Sequence, residues 1–251
     1  MRIDDYRDRY ENIAFTRHDD SVLEVRLHTN GGPLAWSAAA HRDLGPAFRH
    51  FGHDPGVEVV LLSGTGDRFC TDIDHESFRG SQPMTLWTEG KELLQALVDI
   101  EMPVVGVVNG PATIHAELLV LSDIVVASET ATFADHAHFV NGTVPGDGVH
   151  LIWPELLGQN RGRHFLITGR ELSAAEALNL GVVAEVVPAV SAHQRGLAVA
   201  HELAAKPHTA LRYTREILIT PFRELLHGHG LSHGIAGETL AIHARREELK
   251  P

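Results

Sequence analysis

The chain has 251 residues, 43% of them hydrophobic and 22% charged, a composition that fits one large globular domain or a domain plus an appendage and excludes a disordered chain. Its apolar runs are far shorter than the roughly 20 residues of a membrane span, and the acidic start does not resemble a signal peptide, so we predict a cytoplasmic protein. Residues 1–190 hold 27 acidic against 13 basic side chains, which argues against nucleic acid or an anionic membrane as a partner.

Strand-like and helix-like segments alternate along the first three quarters of the chain. Apolar runs rich in β-branched residues predict strands at 13–15, 22–27, 57–62, 104–108, 124–126 and 182–187. Helical periodicity predicts helices at 38–51 and 85–100, and a short helix after Asn109. Ser173 and Glu176 form a capping-box pattern that opens another helix. This alternation predicts an α/β body.

From residue 191 onward the pattern is entirely helical. We predict helices at 192–205, 208–219 and 222–248, separated by Pro207 and Pro221, because proline cannot continue a helix interior. No later strand is available to cover their apolar side chains, among them Leu197, Leu203, Leu211 and Ile217. The sequence therefore predicts a body at 1–190 and a helical region at 191–251 that joins copies of the chain in closed symmetry.

Two familiar site motifs are not supported by their surroundings. Gly64-Thr65-Gly66 follows a predicted strand, but Phe69 stands where a dinucleotide-binding loop needs its third glycine. Four residues could in principle form a two-histidine, one-carboxylate metal site: His115, Asp135, His136 and His138. Their spacing is unspecific, and we expect no metal.

Four segments carry the strongest indication of family. They are 64–74 (GTGDRFCTDID), 105–123 (VGVVNGPATIHAELLVLSD), 131–148 (ATFADHAHFVNGTVPGDG) and 166–181 (LITGRELSAAEALNLG). In this order and spacing they resemble the crotonase, or enoyl-CoA hydratase/isomerase, superfamily. The resemblance implies a spiral of strand-strand-helix units, C-terminal helices that pack trimers, often paired as hexamers, and an oxyanion hole built from two backbone N–H groups.

The chain departs from the hydratases at the positions that carry chemistry. Ile114-His115-Ala116 stands where hydratases have a run of glycines. His138, seven residues before Pro145, replaces the usual catalytic glutamate, and Asp147 follows the Pro-Gly pair. Glu117 stands near a second hydratase glutamate, but its changed neighbourhood gives no basis for a role. This altered set resembles the β-diketone hydrolase branch, typified by 6-oxocamphor hydrolase, whose members cleave a carbon–carbon bond by a retro-Claisen reaction.

The resemblance implies a set of site residues in this chain. The matching positions are Trp36, His41, Phe78, His115, His138, Asp147 and Glu238. A base with a pKa near neutrality must deprotonate the attacking water, and His138 with one ring nitrogen held by Asp147 would suit this task. We expect a hydrogen bond of roughly 2.6 to 3.2 Å between these two side chains.

The remaining residues of the set would act on the two carbonyl groups. His115, helped by the indole N–H of Trp36, would donate to the developing oxyanion. A pair of His41 and Glu238 would stabilise the enolate and deliver the proton to its carbon. Exchanging the roles of His115 and His41 fits the sequence equally well.

The expected substrate is a compact, uncharged and cyclic diketone, and no cofactor is required because the substrate itself stabilises the leaving enolate. Apolar side chains would form the walls: Trp36, Ile73, Phe78 and Phe139. The stretch between Lys91 and Arg161 has no cation, which disfavours a CoA thioester, although residues 195–250 could supply cations across a subunit interface. Two alternatives remain: a crotonase-fold enzyme acting on an acyl-CoA, and a non-catalytic assembly protein.

Overall fold

The computed structural model describes residues 1–248. Its helices are α1 (Ile3–Tyr6), α2 (Ala38–Gly52), α3 (Pro83–Val98), α4 (Glu117–Val120), α5 (Val149–Leu157), α6 (Gln159–Thr168), α7 (Ala174–Asn179), α8 (Ala192–Ala204), α9 (His208–His227) and α10 (His229–Glu248). Its strands are β1 (Ile13–Arg17), β2 (Val22–Leu27), β3 (Leu34–Trp36), β4 (Val59–Ser63), β5 (Cys70–Ile73), β6 (Val104–Val108), β7 (Ile124–Ser128), β8 (Thr132–Phe133), β9 (Leu172–Ser173) and β10 (Glu185–Val187). The predicted α/β class is confirmed.

A six-stranded sheet in the order β1-β2-β4-β6-β7-β10 forms the centre of the molecule. β1 is antiparallel to β2, and the other neighbours are parallel. Every residue of β4 and β6 is buried, which explains why these strands are continuous apolar runs. Val60 and Leu62 join the larger core with α2 and α3, whereas Val59 and Leu61 join a smaller core under α8.

A second set of very short strands lies beside the main sheet. β3 pairs in parallel with β5, and β8 pairs antiparallel with β9. Ala112 connects them, because it forms bridges to both Cys70 and Phe133. None of these four strands was predicted, since stretches of two to four residues are too short for a periodic pattern to show.

Helix α9 runs through Pro221, so the predicted break at this residue is wrong. Proline removes one backbone donor, but contacts on both sides hold the helix together. The guanidinium of Arg223 donates to the Glu216 carboxylate across the proline, at 2.8 and 2.9 Å, and Leu226 is fully buried. The chain turns instead at Gly228, between α9 and α10.

The C-terminal helices cover part of their own chain. Leu197, Leu203 and Leu211 pack against the smaller core, so the expectation that nothing covers them is wrong, whereas Ile217 is 74% exposed. Helix α10 packs against α3, α5 and α9. The division at residue 190 and the assembly role of residues 191–251 stay predictions. In residues 1–248 no helix is both long and apolar enough to cross a membrane.

Candidate active site

The side chains matched to the β-diketone hydrolase branch form one connected cluster. Each member is either in ring contact with another or joined to it by polar atoms within 3.7 Å. In order of contact they are Phe78, His41, Trp36, His115, Asp147, His138 and Glu238. The fold therefore brings residues as distant in sequence as Trp36 and Glu238 into one place.

The ends of parallel strands position the aromatic side of the cluster. Trp36 ends β3 directly opposite Ile73, which ends β5. The next residue, Ser37, caps α2 by accepting a hydrogen bond from the backbone N–H of Ala40 at 3.2 Å. This cap starts the helix immediately after the strand and places His41 in its first turns, edge-on to Trp36 at 5.9 Å between ring centroids.

His115 lies in the turn that precedes α4, in a left-handed conformation with φ 51°. Left-handed geometry is unusual for a residue with a side chain, and this is the position where hydratases have glycine. Its ring packs on the indole of Trp36, with 3.8 Å between centroids. Its Nδ1 lies 2.5 Å from Oε1 of Glu117, the buried first residue of α4. The other ring nitrogen, Nε2, has no hydrogen bond or ion pair within residues 1–248.

The carboxylate that orients His138 is Asp135, which corrects the predicted pairing with Asp147. Asp135 Oδ1 lies 2.7 Å from His138 Nδ1, and both side chains are only 4% exposed. Asp147 lies on the opposite side of the ring, with Oδ2 3.4 Å from Nε2, longer than the expected hydrogen bond. The reason is local: Asp135 precedes the histidine by one turn, and this turn brings the two side chains together.

Asp147 lies between the two histidines of the cluster. Its Oδ2 is 3.4 Å from His138 Nε2 and 3.7 Å from His115 Nδ1. Its Oδ1 is buried and has no hydrogen-bond partner in the described part of the chain. Glu238, on α10, places Oε1 3.7 Å from His138 Nε2.

His41 pairs with Glu89 of α3 and not with Glu238, so the predicted His41–Glu238 pair is wrong. His41 Nδ1 lies 3.0 Å from Glu89 Oε2. Burial lowers the pKa of His41, and the neighbouring glutamate offsets only part of that effect. Glu89 was missed because it is separated by 48 residues from His41 and meets it only when α3 packs on α2.

The charges in the cluster perturb one another strongly. Burial opposes protonation of His138 and His115, yet the adjacent carboxylates raise the pKa of both. The same histidines hold the pKa of Asp147 well below its usual range despite burial. Burial raises the pKa of Glu117, and burial together with the Asp147 charge raises the pKa of Glu238 to about 8. Glu238 is thus a carboxylic acid that is mostly protonated at neutral pH.

Other predicted contributors lie at the margin of the cluster or outside it. Phe139 follows His138 and is 51% exposed, and its place in a substrate-binding wall stays a prediction. His136 Nε2 lies 3.7 Å from Glu171, so the metal-ligand set that includes His136 does not converge. Two surface clefts of about 290 and 300 Å³ lie elsewhere, one against Arg161 and the other against α3.

Comparisons with known proteins place this geometry in a family. Residues 17–231 match the family model of enoyl-CoA hydratase/isomerase. Carnitinyl-CoA dehydratase of Salmonella heidelberg is 30% identical over 82% of this chain and 80% of its own length. Human enoyl-CoA delta isomerase 2 is 27% identical over 87% of this chain, which spans only 57% of that relative.

Solved structures agree with the family and indicate the branch. A β-diketone hydrolase from the cyanobacterium Anabaena, bound to (S)-3-oxocyclohexyl acetic acid, matches with a TM-score of 0.91 and 41% identity over 94% of this chain and 96% of that chain. An enoyl-CoA hydratase/isomerase from Mycobacterium paratuberculosis, 24% identical over 93% of this chain and 94% of that chain, shows the same fold with a TM-score of 0.84. The resemblance to the β-diketone hydrolase branch is confirmed. The chain has the crotonase fold and belongs to the enoyl-CoA hydratase/isomerase family.

Proposed function

We propose that this protein hydrolyses a carbon–carbon bond of a cyclic β-diketone by a retro-Claisen reaction that gives a keto acid. One observation carries the proposal: the position of the hydratase glutamate is occupied by His138, whose Nδ1 is bound by Asp135 while Nε2 faces the cluster. The Anabaena neighbour supports the same chemistry, since it is a β-diketone hydrolase with 41% identity.

The first step is the attack of water on one carbonyl carbon. His138 must be neutral to take the proton on Nε2, and the hydrogen bond from Nδ1–H to Asp135 fixes the tautomer in which Nε2 carries the lone pair. Asp135 also stabilises the imidazolium that forms, which is the task of the aspartate in a serine hydrolase triad.

The attacked carbonyl oxygen becomes negatively charged and needs donors. His115 Nδ1 is engaged by Glu117, so Nε2 donates only when the ring is the imidazolium, a form that the raised pKa of His115 favours. A donor of this kind stabilises the oxyanion by about 3 kcal/mol in a site that excludes water. The stacked indole of Trp36 fixes the plane of the ring.

Collapse of the tetrahedral adduct breaks the carbon–carbon bond and leaves its electron pair on the second carbonyl as an enolate. A proton must then reach the enolate carbon. Glu238 is suited to deliver it, because its raised pKa of about 8 keeps it protonated at neutral pH and its Oε1 lies 3.7 Å from His138 Nε2. The proton taken from water by His138 can then return to the glutamate.

The ligand of the Anabaena protein suggests the substrate class. It is a cyclohexanone that carries an acetic acid. The ketone carbon has two neighbours in the ring, and one of them lies away from the carbon that carries the acetic acid. Joining the carboxyl carbon to that neighbour, with loss of water, gives a bicyclic 1,3-diketone. We therefore assign bicyclic 1,3-diketones as the substrate class.

Incubation with this bicyclic diketone in ¹⁸O-labelled water tests the proposal. We expect the keto acid, with one label in its carboxylate, and at least a hundredfold slower turnover in His138→Ala. The second candidate, an acyl-CoA hydratase or isomerase, is favoured by the family relatives. Turnover of crotonyl-CoA without loss of the diketone would establish that candidate, and turnover of neither compound would favour the assembly protein.

A further inference from the structure

Three polar atoms of the cluster are too far apart for good hydrogen bonds but suitably spaced to share an ion. His138 Nε2 lies 3.4 Å from Asp147 Oδ2 and 3.7 Å from Glu238 Oε1, and all three atoms lie within 4.8 Å of one another. Zinc binds imidazole nitrogen and carboxylate oxygen at about 2.0 to 2.2 Å, so the edge of its coordination tetrahedron is about 3.3 to 3.6 Å. We propose that the substrate-free site binds one divalent transition-metal ion, best matched by Zn²⁺, between these atoms.

The surroundings of His138 are those of a metal-binding histidine. Metal-bound imidazole commonly donates its second N–H to a carboxylate, which fixes the ring and makes the coordinating nitrogen more basic. Asp135 does this at 2.7 Å from Nδ1, and both side chains are almost fully buried. The Nε2 lone pair is thereby directed at the two carboxylates of the proposed site.

The charge balance also favours a cation. Asp147 and Glu238 converge, and the ion pairs they form within the described residues are with histidines alone. Two ionised carboxylates at this separation repel each other, and a divalent ion at their midpoint would neutralise both. His115 stays outside the set because Glu117 holds its Nδ1, so three protein ligands would leave a fourth position for water.

This ion would inhibit the proposed reaction, and that consequence rests on the proposed function. Coordination uses the Nε2 lone pair that must otherwise deprotonate water, and the ion would occupy the space next to Asp147 where the diketone reacts. Zinc is therefore expected to raise the apparent KM for the diketone and a chelator is expected to restore it.

Calorimetric titration of the chelator-treated, substrate-free protein with zinc chloride tests the site itself. We expect one ion per chain with a micromolar Kd, and for cobalt the visible absorption of a tetrahedral complex. Glu238→Gln removes a direct ligand and should weaken binding by more than the roughly 10- to 100-fold that loss of an outer partner costs, and His138→Ala should abolish it. Circular dichroism shows whether each variant is folded, and the isosteric glutamine variant keeps the test valid should the alanine variant not fold.

His193→Ala is the matched control, because this half-buried histidine lies outside the cluster, with Nε2 3.4 Å from Oε1 of the buried Glu24. The control should bind zinc like the parent. Loss of binding in His193→Ala, unchanged binding in Glu238→Gln and His138→Ala, or no binding by the parent would each overturn the proposal. Because no diketone is present in the titration, these outcomes are independent of whether the proposed reaction occurs.

Discussion

His138 is held by carboxylates on both sides of its ring, and they act on it differently. Asp135 binds Nδ1 and sets the tautomer, whereas Asp147 faces Nε2 without a hydrogen bond of good length. Burial lowers the pKa of His138, but Asp147 and then Asp135 raise it by more, so its pKa lies well above the ordinary value of 6.5. The carboxylates thus disfavour the neutral form of His138 relative to an ordinary histidine.

The pH dependence of diketone hydrolysis should report this state. We expect kcat/KM to fall toward low pH with a midpoint above 6.5, since only neutral His138 accepts a proton. Asp147→Asn removes the largest charge that raises the pKa and should move the midpoint to lower pH. Asp135→Asn should instead lower the rate at all pH values, by up to about 10⁴-fold, because an amide can hold the wrong tautomer. An unmoved midpoint in Asp147→Asn would refute this division of roles.

Glu238 links the site to the stability of the protein. Its pKa rises from 4.5 to about 8 on folding, so its contribution to stability is fully present below pH 4.5 and is lost as the pH rises through 8. Glu238→Gln imitates the protonated acid. We expect the parent and the variant to have equal melting temperatures at pH 4.5. At pH 9 the variant should melt at a higher temperature, by about 2 to 4 °C for each kcal/mol that it gains in free energy of unfolding. The exposed Glu224→Gln on α9 is the control, and a gain independent of pH would contradict the assignment.

The members of the cluster could be predicted from sequence, but their pairings could not. His115 and His138 stand where hydratases have glycine and glutamate. Each substitution changes the chemical type of the side chain and can therefore be recognised in the sequence alone. Which carboxylate meets which ring depends on how helices and turns pack. The contact of Asp135 with His138 could have been predicted from their separation of three residues. The contact of Glu89 with His41 could not, because it forms only when α3 packs on α2.

At the scale of elements, helix α10 completes the cluster through a close backbone contact. A Cβ atom on Gly146 would lie 2.1 Å from the carbonyl oxygen of Gly234 in α10. The long strands and helices could be predicted from periodicity, but this contact and the continuous α9 could not. Both depend on tertiary packing, which for α9 overrides the break expected at Pro221.

Gly146→Ala should therefore displace α10 and with it Glu238. We expect a large fall in diketone turnover, weaker zinc binding and a lower melting temperature, because the new methyl group meets backbone and cannot be accommodated by a side-chain rotation. Gly237→Ala on the same helix is the matched control. A Cβ atom at Gly237 meets nothing within 4 Å. Alanine inside a helix stabilises the folded state by about 0.5 to 1 kcal/mol relative to glycine, so this variant should not be destabilised. Equal behaviour of the two variants would disprove the docking role of Gly146.

At the scale of the whole molecule, α9 presents an uncovered apolar surface. Tyr213, Ile217 and Leu218 are 65%, 74% and 73% exposed in the single chain. Neighbouring exposed apolar side chains of this size on one helix mark an interaction surface. Other turns of the same helix pack on the body, so α9 has one face for its own chain and another available to a second copy.

We expect this surface to join copies of the chain into a trimer or a dimer of trimers, since identical chains assemble in closed symmetry. Light scattering at micromolar concentration should give a mass that is a multiple of three chains, and Ile217→Glu should shift it toward the monomer. Val190→Glu, a change at a 97% exposed residue outside α9, is the control and should leave the mass unchanged. A stable monomer in the parent would contradict the prediction. Because Glu238 of the same chain completes the cluster, the dissociated Ile217→Glu variant should still bind zinc and retain turnover.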